Sequence, residues 1–258
     1  MHHNMNRVTI KTPEEIAKMR KAGILLSKVM ETVIKAVKPG VTTKQLDKIA
    51  YDMIIANGAK PSFLNYHGFP ATLCTSVDDE VVHGIPCDRE LQDGEILSID
   101  SGLILDGWQS DHAKTVGVGN ITDKAKDLIK VTTDCLYRGI DHMVVGARLG
   151  DVGAAIQQLA EAHGYGVVRD MCGHGIGKNM HEPPQLPNYG TPGTGMMLKA
   201  GMVIAIEPMI NLGSWRIKIL DDGWTTITAD GSLSAHLEHT VAITDEGPII
   251  LSRPEDDK

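Results

Sequence analysis

Apolar positions along the chain follow two periods. Ile16, Met19, Ile24, Leu25 and Val29 recur at helical spacing and mark one helix face. Thr12-Pro13-Glu14-Glu15 signals the start of that helix. Thr12 can cap, Pro13 suits the first helical position because its missing amide needs no partner there, and Glu15 completes a capping box. Lys38-Pro39-Gly40 ends the helix. A second helix is predicted over 43–57, stopped at Gly58. A third runs from near Thr122 to before Gly146, and a fourth starts at Asp151 and stops at Gly164. The remainder reads as strands. Segments 95–101 and 108–118 flank Asp106-Gly107, a strong two-residue hairpin signal. Residues 202–206 form a buried-type apolar run ended by Glu207-Pro208. Segments 215–220 and 224–228 flank Asp221-Asp222-Gly223, a second hairpin. Residues 233–244 read as one further, central strand, and the polar tail over 252–258 is expected to be loose.

The helix pairs repeat. Gly40 to Gly58 spans 18 residues, and so does Gly146 to Gly164. Leu46 matches Val152 and Ile49 matches Ala155 at an offset of 106. His67-Gly68 matches His174-Gly175 at 107, as Asp100 matches Glu207. The pattern predicts one pseudo-symmetric α+β domain over 1–258, with related halves at about 12–119 and 120–250.

Composition narrows the partners. A net charge of −8 with no Lys/Arg run argues against nucleic acid. No apolar run approaches the roughly 20 residues that span a bilayer. The first ten residues are polar and lack the apolar stretch of a signal peptide, so the cytoplasm is the expected location. His2 and His3 are left out of the fold argument. Cys74, Cys87, Cys135 and Cys172 show no C-x-x-C spacing, which excludes a zinc knuckle or thioredoxin-type pair. Reduced thiols are expected, most of them small buried hydrophobes.

If Asp106-Gly107 is the loop of the first hairpin, opposed residues sum to 213. Asp100 then faces Ala113 and Gly102 faces Asp111, so the two acids share a face as diagonal neighbours. Like charges ~5 Å apart repel by roughly 3 kcal/mol at an effective dielectric near 20. A divalent cation would turn that repulsion into binding; two acids facing solvent is an equal reading of the hairpin alone. Glu207 ends a run too apolar to be exposed, and Glu238 sits inside the predicted strand over 233–244. Buried acids need a partner, either a salt bridge or a metal. His174 lies in Gly173-His174-Gly175-Ile176-Gly177, where glycines let the backbone approach whatever the ring touches. His181-Glu182 is not a zincin helix, since Pro183 and Pro184 follow and position 185 is Gln. No dinucleotide loop, P-loop or Gly-x-Ser-x-Gly elbow is present.

The run Met171-x-Gly173-His174-Gly175-Ile176-Gly177-x-x-x-His181-x-x-x-x-Leu186-x-Asn188-Tyr189 resembles the signature of type I methionine aminopeptidases. Around it stand Val82-His83-Gly84-Ile85-Pro86, the Asp100/Asp111 pair, Ile206-Glu207-Pro208-Met209-Ile210-Asn211 and Glu238-His239-Thr240. The resemblance covers about residues 12–250 with no extra N-terminal domain, as in the short bacterial form.

It implies the pita-bread fold, an antiparallel sheet flanked by two helix pairs. It implies two divalent ions (Co, Mn, Fe or Zn) held by Asp100, Asp111, His174, Glu207 and Glu238, with Asp111 and Glu238 bridging. Two metals would acidify a shared water and polarise the scissile carbonyl. By the same resemblance Glu207 would shuttle the proton, His181 would donate to the oxyanion, and His83 would contact the scissile nitrogen or the substrate amine. Phe63, Tyr66, Phe69, Cys74, Met180 and Trp224 would form a methionine pocket. Position 63 is Phe where many bacterial relatives carry Cys, and 180 is Met where an aromatic is common, so side-chain preference is open. The implied substrate is the nascent polypeptide N-terminus, with the ribosome a candidate partner and a monomer the expected state. An Xaa-Pro peptidase of the same fold would carry an extra N-terminal domain and another histidine pattern. A non-catalytic binder of that fold would lose metal ligands, and all five are present here.

Overall fold

The Thr12 hydroxyl accepts from the Glu15 amide and the Glu15 carboxylate accepts from the Thr12 amide, both at 3.2 Å, so α1 (Pro13–Ala36) opens on a complete capping box. Thr42 and Gln45 open α2 (Thr43–Ala56) in the same way. The computed structural model describes residues 7–256; His2 and His3 lie outside them. α3 (Asp123–Asp141) is capped by Thr122. α4 (Leu149–Ala162) starts earlier than its sequence suggested. Asp151 is not its first residue but folds back to accept the Arg148 amide at 2.7 Å, which puts it in the third helical position.

The strands are antiparallel and short. Ile96–Leu105 and Trp108–Gly117 form the predicted hairpin, flanked by Leu73–Val77 and Lys60–Pro61. A second sheet has the order Gly247–Ile250, His239–Thr244, Val203–Ile206, Gly173–Gly175, Glu182–Leu186. Its last strand holds Pro183 and Pro184 on a sheet edge, where a missing amide is tolerated. Each helix pair covers its own sheet. Leu26, Val29, Val33, Leu46 and Ile54 pack with Leu97, Ile99 and Leu103; Leu128, Val131, Val152 and Ile156 pack with Ile204, Ile206, Val241 and Ile243. Each of these fully buried side chains contributes roughly 1.5–3 kcal/mol relative to exposure.

Three expectations need correction. Residues 233–244 are not one strand but Ser234–His236, paired with Met209–Asn211, and His239–Thr244, paired with Val203–Ile206. The chain changes sheets at Leu237 and Glu238, and Glu238 exchanges backbone hydrogen bonds with Ala113 at 3.0 and 3.3 Å instead. The segment after 251 is not loose at its start: Ser252 is buried, and its hydroxyl accepts from the Thr240 amide at 2.9 Å. Arg20 donates to the carbonyls of Leu251, Arg253 and Pro254. Of the cysteines only Cys74 and Cys135 are buried; Cys87 is exposed and Cys172 half-buried. Among the described residues no helix is long and apolar enough to cross a membrane.

Candidate metal centre

Asp100 pairs with Ala113 and Gly102 with Asp111, the register that the hairpin loop dictates. The Asp111 backbone is tied across to the second sheet, its amide donating to Thr240 Oγ1 at 3.0 Å and its carbonyl accepting from that hydroxyl at 2.8 Å. The His112 ring donates to the Glu238 carbonyl at 2.6 Å. The two sheets thus meet where the acids stand. His174 occupies the middle of Gly173–Gly175, opposite Ala205. The flanking glycines serve neighbouring strands: a Cβ at Gly173 would sit 2.3 Å from the Ala205 carbonyl oxygen, and one at Gly175 2.2 Å from that of Pro183.

His174 Nδ1 donates to the Gly175 carbonyl at 2.9 Å, which turns Nε2 toward the carboxylates. That nitrogen lies 3.6 Å from Asp111 Oδ2 and 3.7 Å from Glu207 Oε2. These groups, turned on one another beyond hydrogen-bond range of the imidazole, are a candidate cation site. Donors about 2.0–2.2 Å from one metal stand roughly 3–4 Å apart. Donor atoms of Asp111, His174, Glu207 and Glu238 lie within 4.8 Å of one another, and so do donor atoms of Asp100, His236 and Glu238. Asp100 Oδ1, Asp111 Oδ1, both Glu238 carboxylate oxygens and His236 Nε2 are buried without a hydrogen-bond partner among the described residues. Orphaned atoms in such number fit a pair of divalent ions sharing Glu238.

The electrostatics agree. Burial first, then the charge of Asp111, holds the carboxyls of Asp100 and Glu238 well above the usual range. Burial does the same for Glu207, against a contact with Glu238 that works the other way. Burial also acts on Asp111, yet the imidazoles of His174 and His181 outweigh it and keep that carboxyl low. Burial lowers His83, brings His181 to about 4, and brings His236 to about 3, so these rings are neutral at pH 7.

The acids face a cavity of about 400 Å³. Asp100, Asp111, His174 and Glu207 line one end, and Glu238 lies fully buried beneath. Phe63, Phe69, Cys74 and Met180, packed with Tyr66 and Trp224, line the other. Phe69 and Trp224 meet edge to face at 5.1 Å. His83 stands over Trp224 at 6.3 Å on a left-handed backbone, φ +62°, a conformation that costs a non-glycine residue on the order of 1–3 kcal/mol. The His181 ring lies 4.2 Å from that of His174 and belongs to neither donor cluster. The Tyr66 hydroxyl sits 2.8 Å from His181 Nδ1. Next to His181, Glu182 is held by Lys11 at 2.9 Å.

The ligand, catalytic and pocket residues that the resemblance implies are brought together at this one site. Sequence reasoning missed two others. His67 lines the cavity, and its signal was the offset of 107 to His174. His236 lies behind Asp100, and its signal was a place two residues before Glu238.

Residues 17–245 match the profile of metallopeptidase family M24. The prolidase of Pyrococcus furiosus, 24 % identical, superposes with a TM-score of 0.77 over 95 % of this chain and 66 % of that one, a likeness of fold alone. The class is thus a pita-bread metallopeptidase: pseudo-symmetric α+β, with antiparallel sheet flanked by two helix pairs. A methionine aminopeptidase of Clostridium perfringens is 52 % identical over 95 % of this chain and 98 % of its own length. The crystal structure of methionine aminopeptidase from Rickettsia prowazekii, 45 % identical, covers 95 % of this chain and 100 % of that one at a TM-score of 0.94. The chain belongs to the methionine aminopeptidases of family M24, metal-binding hydrolases of the exopeptidase kind.

Proposed function

We propose that this enzyme removes the N-terminal methionine of nascent polypeptides, using two divalent cations held by Asp100, Asp111, His174, Glu207 and Glu238. One observation carries the reading: a buried carboxylate–imidazole cluster and an apolar, aromatic wall share one cavity. When bound, the cations supply an acidified water and polarise the scissile carbonyl. Four carboxylates balance two divalent charges, and His174 adds a nitrogen donor. Co, Mn, Fe and Zn all suit this donor set, and availability selects among them.

Glu207 is the proton carrier. Its side chain is 15 % exposed and lines the cavity, whereas Glu238 has no opening to it. It takes the proton of the attacking water and delivers it to the leaving amine. A neutral His181 accepts the Tyr66 hydroxyl at Nδ1, so Nε2 carries the hydrogen and donates to the carbonyl oxygen as it gains charge. His83, over Trp224, contacts the scissile nitrogen or the substrate amine. Phe63, Tyr66, Phe69, Cys74, Met180 and Trp224 receive the thioether, which is unbranched, polarisable and suited to aromatic edges.

The reading treats the chain as one catalytic domain with halves at about 12–119 and 120–250. It acts as a monomer in the cytoplasm, where nascent chains emerge, with the ribosome a candidate partner. The test is turnover on Met-Gly-Met-Met against Gly-Pro peptides, with and without chelator. Methionine release that chelator abolishes is expected; preference for the Gly-Pro substrates, or no release with metal bound, would overturn it.

A further inference from the structure

We propose that His236 is a nitrogen ligand of the metal centre on the Asp100 side, so that each of the two cations is held by one imidazole. The inference rests on the dinuclear reading above. His236 ends the Ser234–His236 strand, at the point where the chain leaves one sheet for the other. Its backbone is fixed there. The His236 amide donates to Thr115 Oγ1 at 2.9 Å, and its carbonyl accepts from the same hydroxyl at 2.8 Å. Met209 pairs with it on the other side. The ring is buried, so it has little room to turn away.

A donor atom of His236 lies within 4.8 Å of one oxygen each of Asp100 and Glu238, with those oxygens equally close to one another. His236 Nε2 makes no hydrogen bond with the described residues, and neither do Asp100 Oδ1 or the two Glu238 oxygens. A ring N–H serving to orient either carboxylate would make a hydrogen bond. Nε2 makes none, and the three donors lie within 4.8 Å of one another, close enough to share one ion. The arrangement parallels the other cluster, where His174 stands with Asp111, Glu207 and Glu238. A nitrogen donor on both sides shifts the centre towards metals that favour imidazole, such as zinc or cobalt, over manganese.

The test uses metal-free wild type, His236→Gln and His236→Ala, titrated with Zn(II) by calorimetry and then examined by zinc K-edge X-ray absorption at two equivalents. Wild type should bind two ions with an average of about one imidazole per zinc, the two histidines shared between two metals. Both variants should show about half that average and lose affinity at one of two sites by more than about tenfold. Tm of the metal-free proteins, and the one site that His174 still serves, show that the variants fold. Glutamine can donate a hydrogen bond but carries no imidazole. An unchanged imidazole average, or affinity restored in His236→Gln, would therefore overturn the ligand role while leaving the dinuclear reading intact. Wild type binding fewer than two ions would overturn both.

Discussion

Gly40 and Gly146 both stand at φ +89°, and their amides donate to the carbonyls of Leu91 and Leu198 at 2.8 and 3.0 Å. Gly58 and Gly164 end α2 and α4 at φ +72° and +77°. The isolated bridge of Thr42 with Glu90 recurs as Arg148 with Met197. The short strand Lys60–Pro61 has its counterpart in Gly166–Val167. Down to single hydrogen bonds, the two halves share one backbone plan. The side chains at matching places do different things. Asp100 and Glu207 both reach the centre. His174 is buried in a strand paired on both edges, where Gly173 and Gly175 leave room for neighbouring carbonyls. His67 sits exposed in a one-turn helix at φ +49°, with open space around the Cβ position of Gly68. Main-chain geometry repeats because it closes the same turns. Chemistry differs because only one histidine is gripped from both sides.

The comparison breaks most sharply at those histidines. His174→Ala should lose one metal equivalent and lower kcat/KM by about 10³ or more, since metal polarisation is worth several kcal/mol. His67→Ala should keep both equivalents and change kcat/KM by less than about tenfold, because the ring belongs to neither donor cluster. Metal analysis with steady-state kinetics on both variants measures the difference, and equal metal loss would erase it.

The matched acids should diverge next. On the proposed role of Glu207 in proton transfer, Glu207→Gln should lower kcat about 10²–10⁴-fold. Asp100→Asn should act chiefly on metal affinity, so excess metal restores its turnover and does not restore that of Glu207→Gln. Activity against metal concentration separates the two. His181 is the proposed donor to the oxyanion. Its removal as alanine should lower kcat and kcat/KM together by about 10²–10³. Tm should hold, since the ring lines an open cavity and packs in none of the apolar clusters; a fall in Tm with turnover kept would make it a packing residue.

The smallest effect tests the shared backbone. Gly40→Ala and Gly146→Ala meet no atom within 4 Å of the new Cβ, so only the left-handed backbone resists. Each should cost about 1 kcal/mol. Denaturant unfolding should give equal losses and unchanged kcat; unequal losses would mean that the turns are not equivalent.

Much of this was legible in the sequence because its signals are local. Asp106-Gly107 set the hairpin, the hairpin set the register, and the register brought Asp100 and Asp111 onto one face. Thr12 and Glu15 announced α1. The break at Leu237–Glu238 was not legible, because an apolar run gives no sign of changing sheets; that event follows from Ala113 pairing across. Asp151 marked the expected start of α4 and instead folds back on its N-cap, Arg148. Ser252 lay in a polar tail, and only its long-range partner Thr240 shows why it is buried. The cavity wall was reached through family resemblance, since Phe63, Met180 and Trp224 lie far apart in the chain and follow no shared period. His236 escaped notice for a related reason: its meaning depends on Asp100, 136 residues earlier.

The central claim is that the buried acids and His174 hold the cations that make this chain a peptidase. It is tested most directly by stripping the protein with chelator, verifying metal content, and titrating a divalent transition metal back while following methionine release. The account predicts no release from the metal-free protein and recovery that rises as the metal sites fill. Full turnover with metal verified absent would contradict it.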